Sequence, residues 1–390
     1  MKKFFNYKVK ELINIFSKNN FKCYVVGGAI RNYLVNIKVC EVDLCTNAHP
    51  KHIKSIFKKH IDIGERFGCI KIYFKGDWFE ITTLRIEKDY LDFRHANHIE
   101  FIDSPQIDSL RRDFTINSIY YDGNKLIDPN SGIHDIKNKL IRLIGDHNVR
   151  FKEDPLRMLR CIRFKSKLNF NIEFKTLLAL KHDFNLITKL SNQKILEEFK
   201  KILNDSNFIK SIHLLNSLNF FSLIINENIK LFDIYSLISS LNDFHIKLFC
   251  ILYFHSNIQD NLIFHVLKNN FTINKKNLNE VKKIHSYIKI FKNDKIFIKK
   301  MVQKESYKTS LNIILILSNY IDKNISKKFY KLLWGYEPLK FKHIAINTQN
   351  FVKNKKDVIK YNNYLITLLH IKPSLNKYKT LKHLINNFKP

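Results

Sequence analysis

The chain has 390 residues, of which 67 are lysine or arginine and 35 are aspartate or glutamate, so its formal charge is +32. This length excludes a minimal binding module and allows about two to four domains with a sizeable core. The charge favours a polyanionic partner such as RNA, DNA or an acidic membrane, although codon bias in an AT-rich genome would also enrich lysine.

Cysteine usage and the N-terminus indicate the compartment. The chain has six cysteines, namely Cys23, Cys40, Cys45, Cys69, Cys161 and Cys250. They lack CxxC pairing and zinc spacing and lie mostly in apolar stretches, which predicts reduced core residues and a cytoplasmic protein. No small-residue cleavage site follows the first residues, and no apolar run approaches the roughly 20 residues of a membrane span. We expect a soluble protein with no membrane partner.

The chain changes character near residue 150. Eight of the nine glycines lie at or before Gly145, and the stretch between Leu156 and Trp334 contains neither glycine nor proline. Before this point, the alternating segments GCIKIYF and DWFEITTLR predict strands, with DGNKL as a turn. After it, LEEFKKILND, KSIHLLNSLNFF and HIKLFCILYF repeat apolar residues at helical spacing. The pattern predicts an α/β head followed by a long all-α portion.

Two stretches of the head suit phosphate and metal chemistry. In CYVVGGAIRNYL, an apolar strand runs into a glycine pair at 27–28 and then into a helix, where backbone N–H groups and Arg31 can hold a phosphate. In VCEVDLCTNAHP, Glu41 and Asp43 share one face of a predicted strand, and paired carboxylates suit Mg²⁺. Glu80 on another strand is a candidate third acid. The alternatives are a tight glycine turn and a solvated strand face.

Polar residues also crowd the otherwise apolar stretch SLRRDFTINSIYYD. Adjacent arginines such as Arg111 and Arg112 can hold phosphates, while Asp113 and Asn117 suit a ribose hydroxyl. Surface salt bridges are the alternative interpretation.

The stretch KEDPLRMLRCIRF predicts a helix that begins at Asp154 and Pro155, a favourable N-cap and N1 pair. Arginines follow at 157, 160 and 163, and residues three apart form an oblique stripe on one side of a helix. Cytosine and adenine both present an amine beside a ring-nitrogen acceptor, which an aspartate and an arginine can contact. An acid and an arginine three residues apart could make such contacts, and the resemblance described below implies this role for Asp154 and Arg157; a capped helix with a basic face is the alternative.

Four motifs in this order resemble the class II tRNA nucleotidyltransferase and bacterial poly(A) polymerase family. They are VVGGAIRN…EVDLCTNAHP, RRDFTINS, LIDPNSGIHDIKNKLIRLIGD and RFKEDPLRMLRCIRF. The resemblance is strong over residues 20–175 and continues weakly through the helical remainder. It implies an α+β fold, with a polymerase-β-like nucleotidyltransferase head built on a small mixed sheet and an all-α neck, body and tail. The implied boundaries are 1–145, 146–208, 209–300 and 301–390.

The resemblance also implies site residues, carried over by position. Glu41 and Asp43 would be catalytic and bind Mg²⁺. The implied nucleotide-binding residues are Gly28, Arg31, Arg111, Arg112, Asp113, Asn117, Asp154, Arg157, Arg160 and Arg163. The implied partners are the 3′ end of tRNA, CTP and ATP.

This chain departs from the family pattern at two positions. Glu41 replaces the first of two aspartates, and Asn32 replaces the aspartate of the usual Arg-Asp pair. A catalytically degenerate RNA-binding protein therefore remains an alternative.

Within the family, GERFGCIKI and the loop around Asp92 and Arg94 favour complete CCA addition over CC addition or poly(A) synthesis. SIYY, which poly(A) polymerases also carry, supports adenylate addition as the main alternative.

Overall fold

A computed structural model describes residues 7–90, 96–225, 235–255, 258–292, 294–321, 323–334, 340–351 and 355–387. The chain divides into two compact units, Met1–Asn228 and Ile229–Pro390. The predicted head and neck therefore belong to one unit. The boundaries at 145, 208 and 300 stay predictions.

The first unit contains the strands. They are β1 (Cys23–Val26), β2 (Asp43–Thr46), β3 (His60–Gly64), β4 (Cys69–Phe74), β5 (Asp77–Thr83), β6 (Arg85–Tyr90), β7 (Ala96–Phe101), β8 (Tyr120–Tyr121), β9 (Leu126–Ile127), β10 (Leu140–Ile141) and β11 (Asn171–Ile172). Seven of them form a mixed sheet in the order β3-β4-β5-β2-β1-β8-β9, while β6 pairs with β7 and β10 pairs with β11. The strands predicted from GCIKIYF and DWFEITTLR are β4 and β5, which are confirmed.

Eleven helices accompany these strands within the described part of the first unit. They are α1 (Tyr7–Lys18), α2 (Gly28–Leu34), α3 (Pro50–Ile56), α4 (Pro105–Ser109), α5 (Gly132–Lys137), α6 (His147–Glu153), α7 (Leu156–Leu168), α8 (Phe174–Asp183), α9 (Asn192–Asn204), α10 (Phe208–Ser217) and α11 (Phe220–Ile225). The apolar side of α7 packs on α9 and α10 because Met158, Leu159 and Ile162 are fully buried. This packing holds the arginines of α7 at a defined place beside the sheet.

The second unit is helical wherever the structure describes it as regular. Its helices are α12 (Tyr235–Ser240), α13 (Phe244–His255), α14 (Asp260–Asn269), α15 (Lys275–Lys289), α16 (Lys295–Lys304), α17 (Tyr307–Tyr320), α18 (Asn324–Trp334), α19 (Lys355–Ile371) and α20 (Tyr378–Asn387). Apolar residues at helical spacing, such as Val281, Ile284 and Ile288 of α15, form its core. None of the helices within the described ranges has the length and apolar character that crossing a membrane requires.

Three expectations require correction. The portion after residue 150 is not all-α, because β11 pairs in parallel with β10. The segment KSIHLLNSLNFF forms two helices, since Asn219 between them has a left-handed φ of 55°. Of the six cysteines, Cys40 is exposed and Cys69 is partly exposed, so only the other four are core residues.

The motif LIDPNSGIHD supports the neighbouring polar stretch through α5. The carboxylate of Asp128 accepts hydrogen bonds from the N–H groups of Gly132 and Ile133, at 2.7 and 2.8 Å. Thr115 donates to Asp135 at 2.7 Å. Helix α5 therefore fixes the 3-10 turn Thr115–Asn117, which carries a predicted site residue.

A Gly132→Ala variant should lower the free energy of unfolding by about 1–3 kcal/mol, because its Cβ would collide with the backbone carbonyl of Thr115. Denaturant titration of the full chain measures this loss. Gly64→Ala is the control, since its Cβ would meet Cys69 Cβ at an ordinary 3.7 Å. Equal stability of the two variants would contradict the tight packing of α5 on this turn.

Candidate active site

The phosphate-binding candidates lie where β1 ends. Gly27 has φ 73° and ψ −131°, which favours glycine, and α2 starts at the next residue. The guanidinium of Arg31 donates to Asn32 Oδ1 from Nε and Nη2, at 3.2 and 2.8 Å, and from Nη1 to Asn117 Oδ1. These bonds fix a cation, 4% exposed, at one wall of a cleft. The partner at residue 32 is a neutral amide, so the charge of Arg31 is not cancelled by it.

A second arginine stacks on the same aromatic ring as Arg31. The guanidinium carbons of Arg31 and Arg163 lie 4.7 and 4.3 Å from the centre of the Phe164 ring. Burial, and then the nearby charges of Arg163 and Arg160, lower the pKa of Arg31 to about 10. Such crowded cations are an unfavourable arrangement that a bound polyanion would relieve.

Arg111 and Arg112 share one fully buried acid, Asp108, which the sequence analysis missed. Arg111 Nε lies 2.8 Å from one carboxylate oxygen, and Arg112 Nη2 lies 3.0 Å from the other. Tyr120 donates its hydroxyl to the same carboxylate at 2.7 Å. Although burial opposes ionisation, the two arginines hold the pKa of Asp108 well below its ordinary value. Asp108 precedes Arg111 by three residues and Arg112 by four. Side chains at these spacings meet on a helix, so the pattern could have identified this acid from the sequence.

Two further cleft residues were also missed. Arg85 and Glu87 alternate along β6, and their side chains pair at 2.6 Å. Glu87 also lies 3.3 Å from Arg111 Nη1. Their i, i+2 spacing on a strand places both side chains on the face toward the cleft.

Asp113 and Asn117 connect the sheet to α7. Asp113 accepts from the Asn117 amide at 3.0 Å and lies 2.7 Å from Arg160 Nη2. Burial opposes ionisation, but Arg160 and the Asn117 amide keep the pKa of Asp113 below its ordinary value. The Asn117 side chain thus connects Arg31 to Asp113 through hydrogen bonds. Its expected contact with a ribose hydroxyl stays a prediction.

The start of α7 differs by one residue from the prediction. The helix runs from Leu156, while Pro155 already has helical φ −58° and ψ −20°. The Asp154 carboxylate accepts the N–H of Leu156 at 3.1 Å, so it does cap this end. Arg157 Nη1 donates to the carbonyl of Arg150 at 2.7 Å. Asp154 and Arg157 are therefore both oriented by the protein before any ligand binds.

The remaining stripe arginine, Arg163, is oriented by an acid that the sequence analysis did not identify. Its Nε lies 2.5 Å from Glu198 on α9. Glu153, at 2.9 Å from Arg157, has the same orienting role at the other end of the stripe.

The acidic pair lies at the start of β2. Asp43 is its first residue, and Glu41 precedes the strand, so the predicted strand is shorter than expected. Leu44 pairs in parallel with Ile81, which places Glu80 beside Asp43. Removal from water, followed by the charges of Glu80 and Glu41, raises the pKa of Asp43. The carboxylates thus lie close enough together for their negative charges to act on one another.

The structure brings together, in one cleft of about 550 Å³ that we call the arginine cavity, all of the site residues that the resemblance implies, whereas the candidate third acid, Glu80, lies outside its lining. Its lining is Gly27, Gly28, Arg31, Glu41, Asp43, Arg85, Glu87, Arg111, Arg112, Asp113, Asn117, Asp154, Arg157, Arg160, Arg163 and Phe164. Cations crowd one part of it, and the pair Glu41 and Asp43 borders another. Their individual roles stay predictions. The loop around Asp92 and Arg94 lies outside the described residues.

The head, which contributes the cleft residues up to Asn117, is of a known type. Residues 23–142 match the family model of the poly A polymerase head domain. The resemblance expected from the motifs of the head is therefore confirmed.

The curated relatives that this chain resembles include several CCA-adding enzymes. The CCA-adding enzyme of Lactobacillus helveticus (strain DPC 4571) is 40% identical over 196 residues, which cover 50% of this chain and 49% of that enzyme. The CCA-adding enzyme of Staphylococcus haemolyticus (strain JCSC1435) is 39% identical over 216 residues, 55% of this chain and 54% of that enzyme. The chain thus spans about half the length of the curated relatives it matches.

Solved structures extend the similarity over nearly the whole chain. The Bacillus stearothermophilus CCA-adding enzyme in complex with CTP has a TM-score of 0.73 at 21% identity, covering 97% of this chain and 96% of that one. The Thermotoga maritima CCA-adding enzyme complexed with tRNA has a TM-score of 0.72 at 18% identity, covering 98% and 95%. The chain has the fold of CCA-adding enzymes, which confirms the α+β head followed by helical regions.

Proposed function

We propose that the protein adds CCA to the 3′ end of tRNA from CTP and ATP, with release of pyrophosphate and without a nucleic-acid template. The observation that carries this proposal is the arginine cavity, which combines crowded cations, two carboxylates and an acid–arginine pair at the start of α7. The named complexes of the relatives with CTP and with tRNA support the same substrates. A tRNA substrate implies that the activity is cytoplasmic.

The cations of the cavity suit a triphosphate. The guanidinium groups of Arg31 and Arg163 both stack on the Phe164 ring. Arg112 lines the same cavity. Arginine holds phosphate oxygens bidentately, and fixed cations stabilise charge that develops on a leaving pyrophosphate. In the proposed reaction the RNA 3′ oxygen forms a bond to the α-phosphorus. The bond between that phosphorus and the oxygen bridging to the β-phosphate breaks, the hydroxyl proton is lost, and pyrophosphate leaves with the bond electrons.

A divalent metal, proposed to be Mg²⁺, fits the acidic pair. The donor set of Glu41 and Asp43 is hard carboxylate oxygen. Burial, and then the charges of Glu80 and Glu41, raise the pKa of Asp43, and a bound cation would offset both effects. No cluster of three or more His, Cys, Asp or Glu suited to a metal occurs among the described residues. Two carboxylates suffice for Mg²⁺, which usually retains waters and binds substrate phosphates. When bound, it would polarise the phosphate and lower the pKa of the attacking hydroxyl.

Base selection is proposed for Asp154 and Arg157. Cytosine and adenine each offer an exocyclic amine to a carboxylate, and a ring nitrogen to a guanidinium. Guanine and uracil place a carbonyl where that amine would be, which a carboxylate repels. The two side chains are close to each other, with Asp154 Oδ2 3.9 Å from Arg157 Nε.

Incubation of the protein with tRNA lacking its 3′ end tests the proposed activity. With CTP and ATP present, incorporation should stop after three residues, C, C and A. Sizing and sequencing of the product measure this result. Long adenylate tails on unrelated RNA would favour poly(A) polymerase, the second candidate, which the matching head domain also supports. Strong RNA binding with no incorporation would favour a degenerate RNA-binding protein.

An Asp154→Ala variant should lower C and A incorporation and relax the rejection of U and G. The expected change in discrimination is roughly ten- to hundredfold, since a good base contact contributes about 1–3 kcal/mol. Incorporation efficiencies for all four nucleotides measure it. Asp154→Asn is the control, because its amide oxygen can still cap Leu156 while the carboxylate charge is lost. Wild-type preference in both variants would mean that this residue only caps the helix.

A further inference from the structure

A second cavity of about 590 Å³ opens beside the acidic pair. Strand β5 pairs with β4 from Asp77 to Thr82, but it pairs with β2 only from Ile81 onwards. The first half of β5 therefore has no strand partner on that side, and residues 38–42 flank the opening. Among the described lining residues, this cavity shares only Glu41 and Asp43 with the arginine cavity.

An exposed tryptophan lines this opening. Along β5, Phe79 and Ile81 are buried, while Trp78 and Glu80 face outward. Trp78 remains 41% exposed, and its ring centre lies 5.3 Å from that of Tyr73, its cross-strand partner. The indole is thus held in a fixed orientation yet presents a large apolar surface to solvent, an arrangement that binding of a partner explains better than core packing does.

Lysines surround this aromatic pair. Lys71 pairs across the strands with Glu80, at 3.8 Å between Nζ and Oε1, and Lys38 lines the same cavity. Lys59 Nζ lies 3.8 Å from the centre of the Tyr73 ring. Asp77 and Glu80 line the same cavity, and lysines offset both acids, Lys8 at 2.5 Å from Asp77 and Lys71 at 3.8 Å from Glu80. The aromatic pair therefore provides stacking for a base beside lysines that can contact phosphate, which is the chemistry that binds single-stranded nucleic acid.

The chemistry of the proposed reaction favours the same occupant. In nucleotidyl transfer, the attacking hydroxyl and the leaving pyrophosphate lie roughly in line on opposite sides of the phosphorus. If the triphosphate occupies the arginine cavity, the attacking hydroxyl must come from elsewhere around the acidic pair. The second cavity meets the first at that pair, and its volume lies within the roughly 300–1,000 Å³ of small-ligand sites.

We propose that Trp78 stacks on the base of the last nucleotide of the acceptor RNA, so that the second cavity holds the 3′ end with its hydroxyl near Asp43. This inference rests on the proposed function and assigns Trp78 as a positioning residue. Stacking is tolerant of base identity, because every base has a π-face. One platform therefore serves successive 3′ ends that differ in their last base, while selection of the incoming base takes place in the arginine cavity.

Steady-state kinetics test the assignment through the KM for RNA. Trp78→Ala should raise this KM roughly ten- to hundredfold, because loss of one stacked base costs about 1–3 kcal/mol, while the KM for CTP stays unchanged. Trp78→Phe should restore most of the affinity, since a phenyl ring still stacks. Phe174→Ala, which removes an aromatic residue that is 71% exposed elsewhere in the same unit, should change neither KM. An unchanged KM for RNA in Trp78→Ala would overturn the proposal.

Fluorescence tests the stacking without requiring catalysis. The chain has two tryptophans, so a Trp334→Phe background leaves Trp78 as the only indole. tRNA lacking CCA should quench its emission, whereas the same RNA without the base of its last nucleotide should bind and leave the emission unquenched. Equal quenching by both RNAs, or by neither, would overturn the proposal. If base-dependent quenching occurs but no nucleotide is ever incorporated, the proposed function fails and the stacking site stands.

Discussion

An Asp43→Asn variant should lose roughly a thousandfold in nucleotide incorporation, while its affinity for tRNA stays within a few-fold of wild type. Of the acidic pair, only Asp43 lies within β2, and the substitution removes its charge. A bound metal ion stabilises the transition state of the transfer by several kcal/mol, and losing that stabilisation slows the reaction by about this factor. Fold integrity should be preserved, because the Asp43 side chain lines the cleft and is not part of the apolar core, and Asn has nearly the same shape. Single-turnover incorporation of CTP and filter binding of tRNA measure the two quantities.

Glu41→Asp is the matched control for this experiment. It keeps the carboxylate and restores the pair of aspartates that the family resemblance implies. Incorporation should be retained, and any change in rate reports the effect of the extra methylene of Glu41. If Asp43→Asn keeps wild-type incorporation, the acidic pair is not the metal site, whatever the behaviour of the control.

The affinity for tRNA should fall roughly a thousandfold between about 50 and about 200 mM salt. A protein that neutralises about six phosphates releases their counterions, and the logarithm of its affinity declines linearly with the logarithm of salt concentration. The formal charge of +32 supplies the cations. Helix α15 illustrates their arrangement, because it buries Val281 and Ile284 and exposes Lys275, Lys276 and Lys282 on its other side.

A double variant, Lys275→Gln with Lys276→Gln, tests whether the lysines of α15 take part. Each lost phosphate contact should reduce the slope of the salt dependence by about one, without changing the nucleotide preference. Binding titrations at several salt concentrations measure the slope of the salt dependence for the wild-type protein and for the double variant. An affinity of the wild-type protein that does not change over this range would assign the positive charge to codon bias alone.

The local features of the fold were predictable from the sequence. Alternation in β4 and β5 and the apolar spacing of the helices after residue 150 gave the right element types, because these signals depend on which face is buried. The break between α10 and α11 was not visible, since Asn219 adopts a left-handed conformation where a glycine would have signalled one. Likewise, β11 is two residues long, and it pairs with β10, about 30 residues earlier in the chain.

The candidate site was predictable in its members but not in their mutual contacts. Arg111 and Arg112 stand out as polar residues in an apolar stretch, whereas Asp108 resembles an ordinary acid of a short helix. Its importance arises from complete burial between two arginines and Tyr120, which depends on tertiary packing. The sequence analysis also missed Trp78. Its exposure arises because β2 pairs with β5 only from Ile81 onwards, and the extent of strand pairing depends on the tertiary fold.

The parallel pair of β10 and β11 joins the two ends of the chain segment that contains α6 and α7. Leu140 lies opposite Asn171, so the segment leaves and re-enters the sheet region about one strand spacing, ~4.8 Å, apart. Although its ends are adjacent, the segment is not independent of the chain around it, because Arg160 pairs with Asp113 and the buried side of α7 packs on α9 and α10. A substitution in the arginine stripe therefore also changes the surroundings of Asp113 or Glu198, so any change of nucleotide preference made there is coupled to the packing of the first unit.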